Sequence, residues 1–208
     1  MSSRYYRPTE AIHRTEIEIL KSRFITSVTQ VTTTESARDF IKHIRDEMPE
    51  ASHHVYAFRV GYGQSVTDGM SDDGEPNGTS GPPSLAVVRG SNLGDIVLVT
   101  TRYFGGTKLG TGGLVRAYTE SAQVALESLP TVLKAPKTQL GFDMPYSLYE
   151  QSKLLIIEHN GIINDEIFTG DVSLIVTFYN ENVEAFTTEL TELSSGQIEP
   201  IPLATFDD

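Results

Sequence analysis

The stretch Ile96-Val97-Leu98-Val99-Thr100-Thr101-Arg102-Tyr103-Phe104-Gly105-Gly106-Thr107-Lys108-Leu109-Gly110-Thr111-Gly112-Gly113-Leu114-Val115-Arg116-Ala117-Tyr118 changes character twice. It opens with consecutive β-branched and apolar residues, the pattern of a strand buried on both faces, predicted over 95–103. It then breaks into a glycine-rich loop. From Gly112 the period becomes helical, with Leu114, Tyr118, Ala122, Ala125, Leu126 and Leu129 on one side of a helix predicted over 112–129. A strand feeding a glycine loop and then a helix brings unpaired N–H groups and partial positive charge to one point, which suits an anion.

Upstream, residues 15–20 and 24–28 alternate or run in β-forming residues and predict a hairpin. Ala37, Phe40, Ile41 and Ile44 fall at helical spacing from Thr34 until Met48-Pro49 ends the helix. His54–Val60 reads as a strand. A second glycine-rich segment, 71–83, precedes a short helix predicted over 84–89. Downstream, Lys134-Ala135-Pro136 interrupts the pattern. Beyond it the order is strand 137–144, helix 147–159, strands 161–168 and 171–179, helix 181–194 and strand 197–205, a βαββαβ arrangement that points to a ferredoxin-like split βαβ domain. The expected fold class is therefore α+β, with two domains, 1–135 and 136–208.

With 208 residues, 38% of them hydrophobic and 21% charged, the chain has the make-up of folded globular domains rather than of disordered ones. No apolar run reaches the roughly 18 residues needed to cross a bilayer, and no secretory h-region opens the sequence. There is no cysteine, which removes disulfides, thiol nucleophiles and thiolate metal sites. A cytoplasmic protein without a membrane partner is expected. The net charge of -12 is unevenly spread: residues 136–208 carry 2 Lys+Arg against 13 Asp+Glu. Phosphate backbones are bound through cations, so any RNA contact is assigned to the first domain, and no DNA partner is expected.

Standard phosphate motifs are absent. The glycine loop lacks the spacing of a P-loop, and Val115 stands where a dinucleotide fingerprint needs glycine. These glycines also fit a purely structural reading, as tight turns with positive φ. Asp72, Asp73 and Glu75 are placed either for a hard cation or for pairing with Arg102, Lys108 or Arg116; without EF-hand spacing the internal pairing is preferred and no metal is expected. His53 and His54 point to opposite faces of a strand, so one at most enters a given site. Nothing assigns a catalytic residue, and no cofactor is expected.

Taken as a set, His53-x-x-Tyr56-Ala57, Ser71-Asp72-Asp73-Gly74-Glu75-Pro76, Gly78-Thr79-Ser80-Gly81-x-Pro83 and Arg102-Tyr103-Phe104-Gly105-Gly106-x-x-Leu109-Gly110-x-Gly112-Gly113-Leu114-Val115-Arg116-Ala117-Tyr118 resemble the signature of the YigZ/IMPACT family. Lys21-Ser22-Arg23-Phe24-Ile25 is similar to that family's opening, and for the bacterial YigZ branch the resemblance covers essentially the whole chain. It implies a ribosomal protein S5 domain 2-like first domain and a second domain similar to the C-terminal domain of elongation factor G. It also implies translation as the setting, since IMPACT proteins are translational regulators acting through protein contacts. Ser80 stands where alanine is the commoner family residue. The expected function is non-enzymatic binding of a ribosomal, RNA or protein partner through the first domain, with His53, Asp72, Asp73, Glu75, Arg102, Gly105, Gly106, Lys108, Gly112, Gly113 and Arg116 as binding residues. The alternative is a small-molecule enzyme or a nucleotide or phosphate binder using the loop at 105–113, by analogy with kinases of that fold.

Overall fold

Every residue from Ile96 to Arg102 is buried, which puts the apolar run at the centre of a sheet with both faces covered. The computed structural model describes residues 4–63 and 65–207. They form an α+β chain with five helices and three sheets, dividing into two compact units, Tyr5–Leu133 and the part from Lys134 onward, which Arg4 joins. Among the described residues no helix is long and apolar enough to cross a membrane.

In chain order the first unit contains β1 (Tyr5–Pro8), β2 (His13–Ile19), β3 (Ser22–Gln30), α1 (Thr34–Glu47), β4 (His53–Tyr62), β5 (Ser65–Ser71), α2 (Gly81–Gly90), β6 (Ile96–Tyr103) and α3 (Gly110–Glu127), and it closes with β7 (Thr131–Lys134). The main sheet has the order β2-β3-β6-β4-β5, antiparallel throughout. Alternation along its strands sorts the apolar side chains into two layers. On one face Ala37, Phe40, Ile41 and Ile44 of α1 pack on Ile25, Phe58, Val97 and Val99. On the other, Leu85 and Val88 of α2 and Ala122 and Ala125 of α3 pack on Val28, Ala57, Ile96 and Leu98. A capping box at Thr33 and Ser36 starts α1: the Ser36 N–H donates to Thr33 Oγ1 at 3.0 Å and the Thr33 N–H to Ser36 Oγ at 3.2 Å.

The second unit contains β8 (Pro136–Met144), α4 (Tyr146–Glu158), β9 (Ile162–Phe168), β10 (Val172–Tyr179), α5 (Asn180–Leu193) and β11 (Ile201–Asp207). Its antiparallel sheet has the order β11-β8-β10-β9. Leu140, Phe142, Leu174, Val176 and Phe178 on one face pack against Ile156, Phe186 and Leu190 of the two helices.

Most boundaries fall within about two residues of expectation, and of three shifts two have a clear local cause. Helix α2 begins at Gly81, not 84, because Pro82 and Pro83 fall in its first turn, where a missing N–H costs nothing. Helix α3 begins at Gly110, not Gly112. The last strand begins at Ile201, not 197, since Gly196 with φ +79° ends a turn after α5 and Pro200 delays pairing.

Candidate functional site

The acidic loop leaves β5 at Ser71 and reaches α2 at Gly81. Asp72 holds that passage together. Its Oδ1 accepts from the Ser80 N–H at 3.0 Å, the Ser80 hydroxyl at 2.8 Å and the Gly81 N–H at 2.8 Å, while Oδ2 accepts from the Gly78 N–H at 2.8 Å. The residue capping α2 by position, Ser80, makes no side-chain cap bond, so Asp72 supplies the cap from eight residues upstream. Burial by itself raises the Asp72 pKa, but the hydrogen bonds from Gly78, Gly81 and Ser80 outweigh it and hold the carboxyl below its ordinary value. A depressed folded-state pKa contributes stability that is present above the unfolded value and lost as pH falls through the folded one. Asp72→Asn, which presents a donor to those N–H groups, is expected to cost about 1 kcal/mol at neutral pH. In urea titrations its deficit relative to the parent should shrink below about pH 4; a deficit constant with pH would contradict this role.

Asp73 turns the loop back with φ +46°, a left-handed value that aspartate tolerates. Its carboxylate pairs with Arg45 and accepts from the His54 N–H at 2.6 Å. His53 Nδ1 lies 2.9 Å from the Asp73 carbonyl, so Nδ1 carries the proton and Nε2 faces Glu75 Oε2 at 3.8 Å. His54 points to the opposite face, as alternation requires, and sits 3.1 Å from Thr101 Oγ1. Burial lowers its pKa, with Asp73 opposing, and it stays neutral at physiological pH.

Glu75 and Arg102 bring the two glycine-rich segments together. Arg102 Nη1 donates to Glu75 Oε1 at 2.6 Å, with side-chain exposures of 6% and 3%. The Tyr118 hydroxyl donates to the same oxygen at 2.8 Å. Burial first, and then the charge of Glu75, raise the Tyr118 pKa far above its ordinary value, so the phenol remains a donor at every working pH. The guanidinium lies between the rings of Phe24 and Phe104, 5.5 and 5.6 Å from their centroids, and its Nε–H has no acceptor among the described residues.

Above this group opens a cavity of about 350 Å³, lined by Glu75, Pro76, Arg102, Phe104, Lys108, Leu109, Gly110, Thr111 and Leu114. Phe104 and Lys108 are exposed at it. The first turn of α3 has no side-chain cap, which leaves its N–H groups for solvent or a ligand.

The glycines of the loop serve different ends. Gly105 packs against the two-residue turn Leu20-Lys21, where a Cβ would lie 2.0 Å from the Lys21 carbonyl carbon. Gly106 and Gly110 have φ of +83° and +70°. Gly112 has no such requirement: a Cβ there meets nothing within 4 Å. Of the residues expected to bind, Glu75, Arg102 and Lys108 line this cavity, whereas His53, Gly105, Gly106, Gly112, Gly113 and Arg116 do not. Arg116 is exposed and, like Lys108, makes no ion pair among the described residues. Asp72 and Asp73 are committed to the α2 cap and to Arg45. The lining residues absent from the expected binding set are Pro76, Phe104, Leu109, Gly110, Thr111 and Leu114, with Tyr118 beneath them. Tyr118 left a usable signal, since a tyrosine on the buried stripe of a helix needs a partner for its hydroxyl.

The model of the Impact N-terminal domain matches residues 20–126, more than half of the chain and the span that holds every residue of this site. The chain belongs to the IMPACT family. The model of a domain of unknown function, DUF1949, matches residues 142–197 in the second unit. Among IMPACT family members, one from Haemophilus influenzae is 41% identical over 88% of this chain and 89% of its own length. The Escherichia coli member YigZ is 38% identical over 88% and 90%. A crystal structure of a hypothetical protein, 35% identical, covers 98% of this chain and 99% of its own with a TM-score of 0.64.

Proposed function

We propose that this IMPACT family member is a non-enzymatic, cytoplasmic binding protein of the translation apparatus that engages a ribosomal or other translation-related partner through the first unit, at the cavity under the start of α3. The observation that carries this reading is an apolar cavity whose floor is the hydrogen-bonded Glu75–Arg102–Tyr118 group and whose mouth presents Phe104, Lys108 and uncapped N–H groups. Of the lining side chains, Thr111 alone carries a hydroxyl, none is a histidine, and the Glu75 carboxylate is already held by Arg102 and Tyr118, a set that favours recognition over nucleophilic chemistry. One exposed cation beside an aromatic ring fits a single anionic group next to an apolar one, not a phosphate track. The link to translation rests on the family. In fold terms, we read the first unit as ribosomal protein S5 domain 2-like over 1–135 and the second, over 136–208, as ferredoxin-like; support for the latter is the βαββαβ order with the sheet order β11-β8-β10-β9.

Co-sedimentation of the full chain with ribosomes over a salt series tests this. Phe104→Ala is expected to cut retention about tenfold, equivalent to 1.4 kcal/mol. Lys108→Ala should flatten the salt dependence by about one contact, a slope change near 0.7 if the group is a phosphate on single-stranded RNA. Absence of association at low salt, or retention unchanged in both variants, overturns the proposal. A second reading, a nucleotide or other small phosphate-bearing ligand held by residues 105–113, is favoured by the cavity's volume, within the range of small-ligand sites. A thermal-shift screen separates the two, because a ligand at 100 times its Kd adds about 2.7 kcal/mol.

A further inference from the structure

The sheet of the second unit has helices on one face only: α4 and α5 pack against β8, β9 and β10. The register identifies the other face. Asp143, Gly141 and Gln139 of β8 lie opposite Ser173, Ile175 and Thr177 of β10, which in turn lie opposite Ile167, Asp165 and Ile162 of β9. The edge strands contribute the apolar part. Ile162 and Ile167 on β9 are 57% and 50% exposed, and Ile201 and Leu203 on β11 are 61% and 53% exposed. Gly141 lets Leu203 lie across β8, where a Cβ would stand 2.9 Å from Leu203 Cδ1. Beside it is a depression of about 230 Å³ whose lining includes Asp143, Ser173, Ile175 and Glu199. Exposed apolar side chains on both edge strands of a sheet face that no helix covers, with Ile175 between them, fit an interaction surface.

Charge selects the occupant. Asp143, Asp165 and Glu199 belong to this face or its depression, whereas its cation, Lys137, sits at one end over the Tyr179 ring. Residues 136–208 as a whole hold 2 Lys+Arg against 13 Asp+Glu. Phosphate backbones are repelled by such a field, and so is a second copy of the same unit. We infer that the open sheet face of the second unit docks a basic, amphipathic polypeptide segment, apolar side chains against Ile162, Ile167, Ile201 and Leu203 and cations against Asp143, Asp165 and Glu199. This surface is separate from the cavity of the first unit and does not depend on what that cavity binds.

Fluorescence anisotropy of the full chain with a labelled peptide of alternating lysine and valine tests the assignment. Ile167→Ser with Leu203→Ser, and separately Asp143→Asn with Asp165→Asn, are each expected to weaken binding about tenfold. Glu184→Gln with Glu192→Gln, on the exposed side of α5, should leave it unchanged. These sites are exposed, and an unchanged urea midpoint establishes that each variant is folded. Four results overturn the proposal: equal binding of a lysine–serine peptide, equal weakening by the α5 variant, binding of a labelled RNA oligonucleotide to the full chain that the Ile167→Ser, Leu203→Ser variant abolishes, or self-association in sedimentation that the same variant abolishes.

Discussion

Glu75→Ala is expected to lower the stability of the first unit by about 3 to 5 kcal/mol, the cost of leaving a buried charge without its partner. Arg102 sits in the central strand β6 with its guanidinium between two rings, and Glu75 is its sole carboxylate partner among the described residues. The same substitution strands the Tyr118 hydroxyl, an additional loss of about 1 kcal/mol or more. Replacing both ends of the pair, Glu75→Leu with Arg102→Met, should recover much of the deficit, because an apolar pair of similar volume carries no desolvation penalty. Urea unfolding of the full chain provides the measurement. A deficit under about 1 kcal/mol for the single variant, as for an exposed pair, would show that the charges are solvated.

Gly105→Ala comes second, with an expected loss of about 3 kcal/mol, the upper part of the range for overpacking. The obstacle is backbone: the added methyl would meet the Lys21 carbonyl carbon at 2.0 Å and its oxygen at 2.1 Å. Relief requires the β2–β3 turn and the glycine loop to part, breaking the Gly105 N–H bond to Ser22 Oγ and shifting Phe104 at the cavity mouth. Gly112→Ala should have the opposite sign, a gain of up to about 1 kcal/mol, since the position is helical and open. The contrast separates glycines needed for packing from those kept for a ligand. If Gly112→Ala stabilises the chain and also abolishes retention on ribosomes, the open space at that residue belongs to the partner.

The extent to which the fold was legible follows the strength of each local pattern. The run at Ile96–Val99 announced a central strand because burial on both faces leaves no polar positions to confuse it. Strand β5 went unread: Ser-Val-Thr-Asp-Gly-Met-Ser has weak β character, and its Gly69 answers to a distant residue, the Phe58 ring, which would lie 2.2 Å from a Cβ. The four-residue strands β1 and β7 are too short for periodicity to register. At the site, complementary charge foretold that the acidic and glycine-rich segments would meet, which Glu75 and Arg102 do. It did not reveal how Asp72, Asp73 and Glu75 divide their roles, because that depends on which loop amides and cations come within reach after folding. Phe104 and Leu109 were invisible as lining residues for the same reason: an apolar side chain in a loop carries no sign of what it will face.

The strand order β2-β3-β6-β4-β5 also governs the history of the molecule during its synthesis. The middle strand is the last of the five to leave the ribosome. Until residues 96–103 emerge, β2–β3 and β4–β5 are two separate hairpins, each with an unfilled edge where β6 belongs. Such edges invite pairing with other chains, and closing them demands contacts across long sequence separations. Arg102 arrives with that strand and Tyr118 fifteen to twenty residues behind it, so the floor of the cavity is completed late, and the stretch between Ser71 and Ile96 is the interval in which a nascent chain is most open to mispairing.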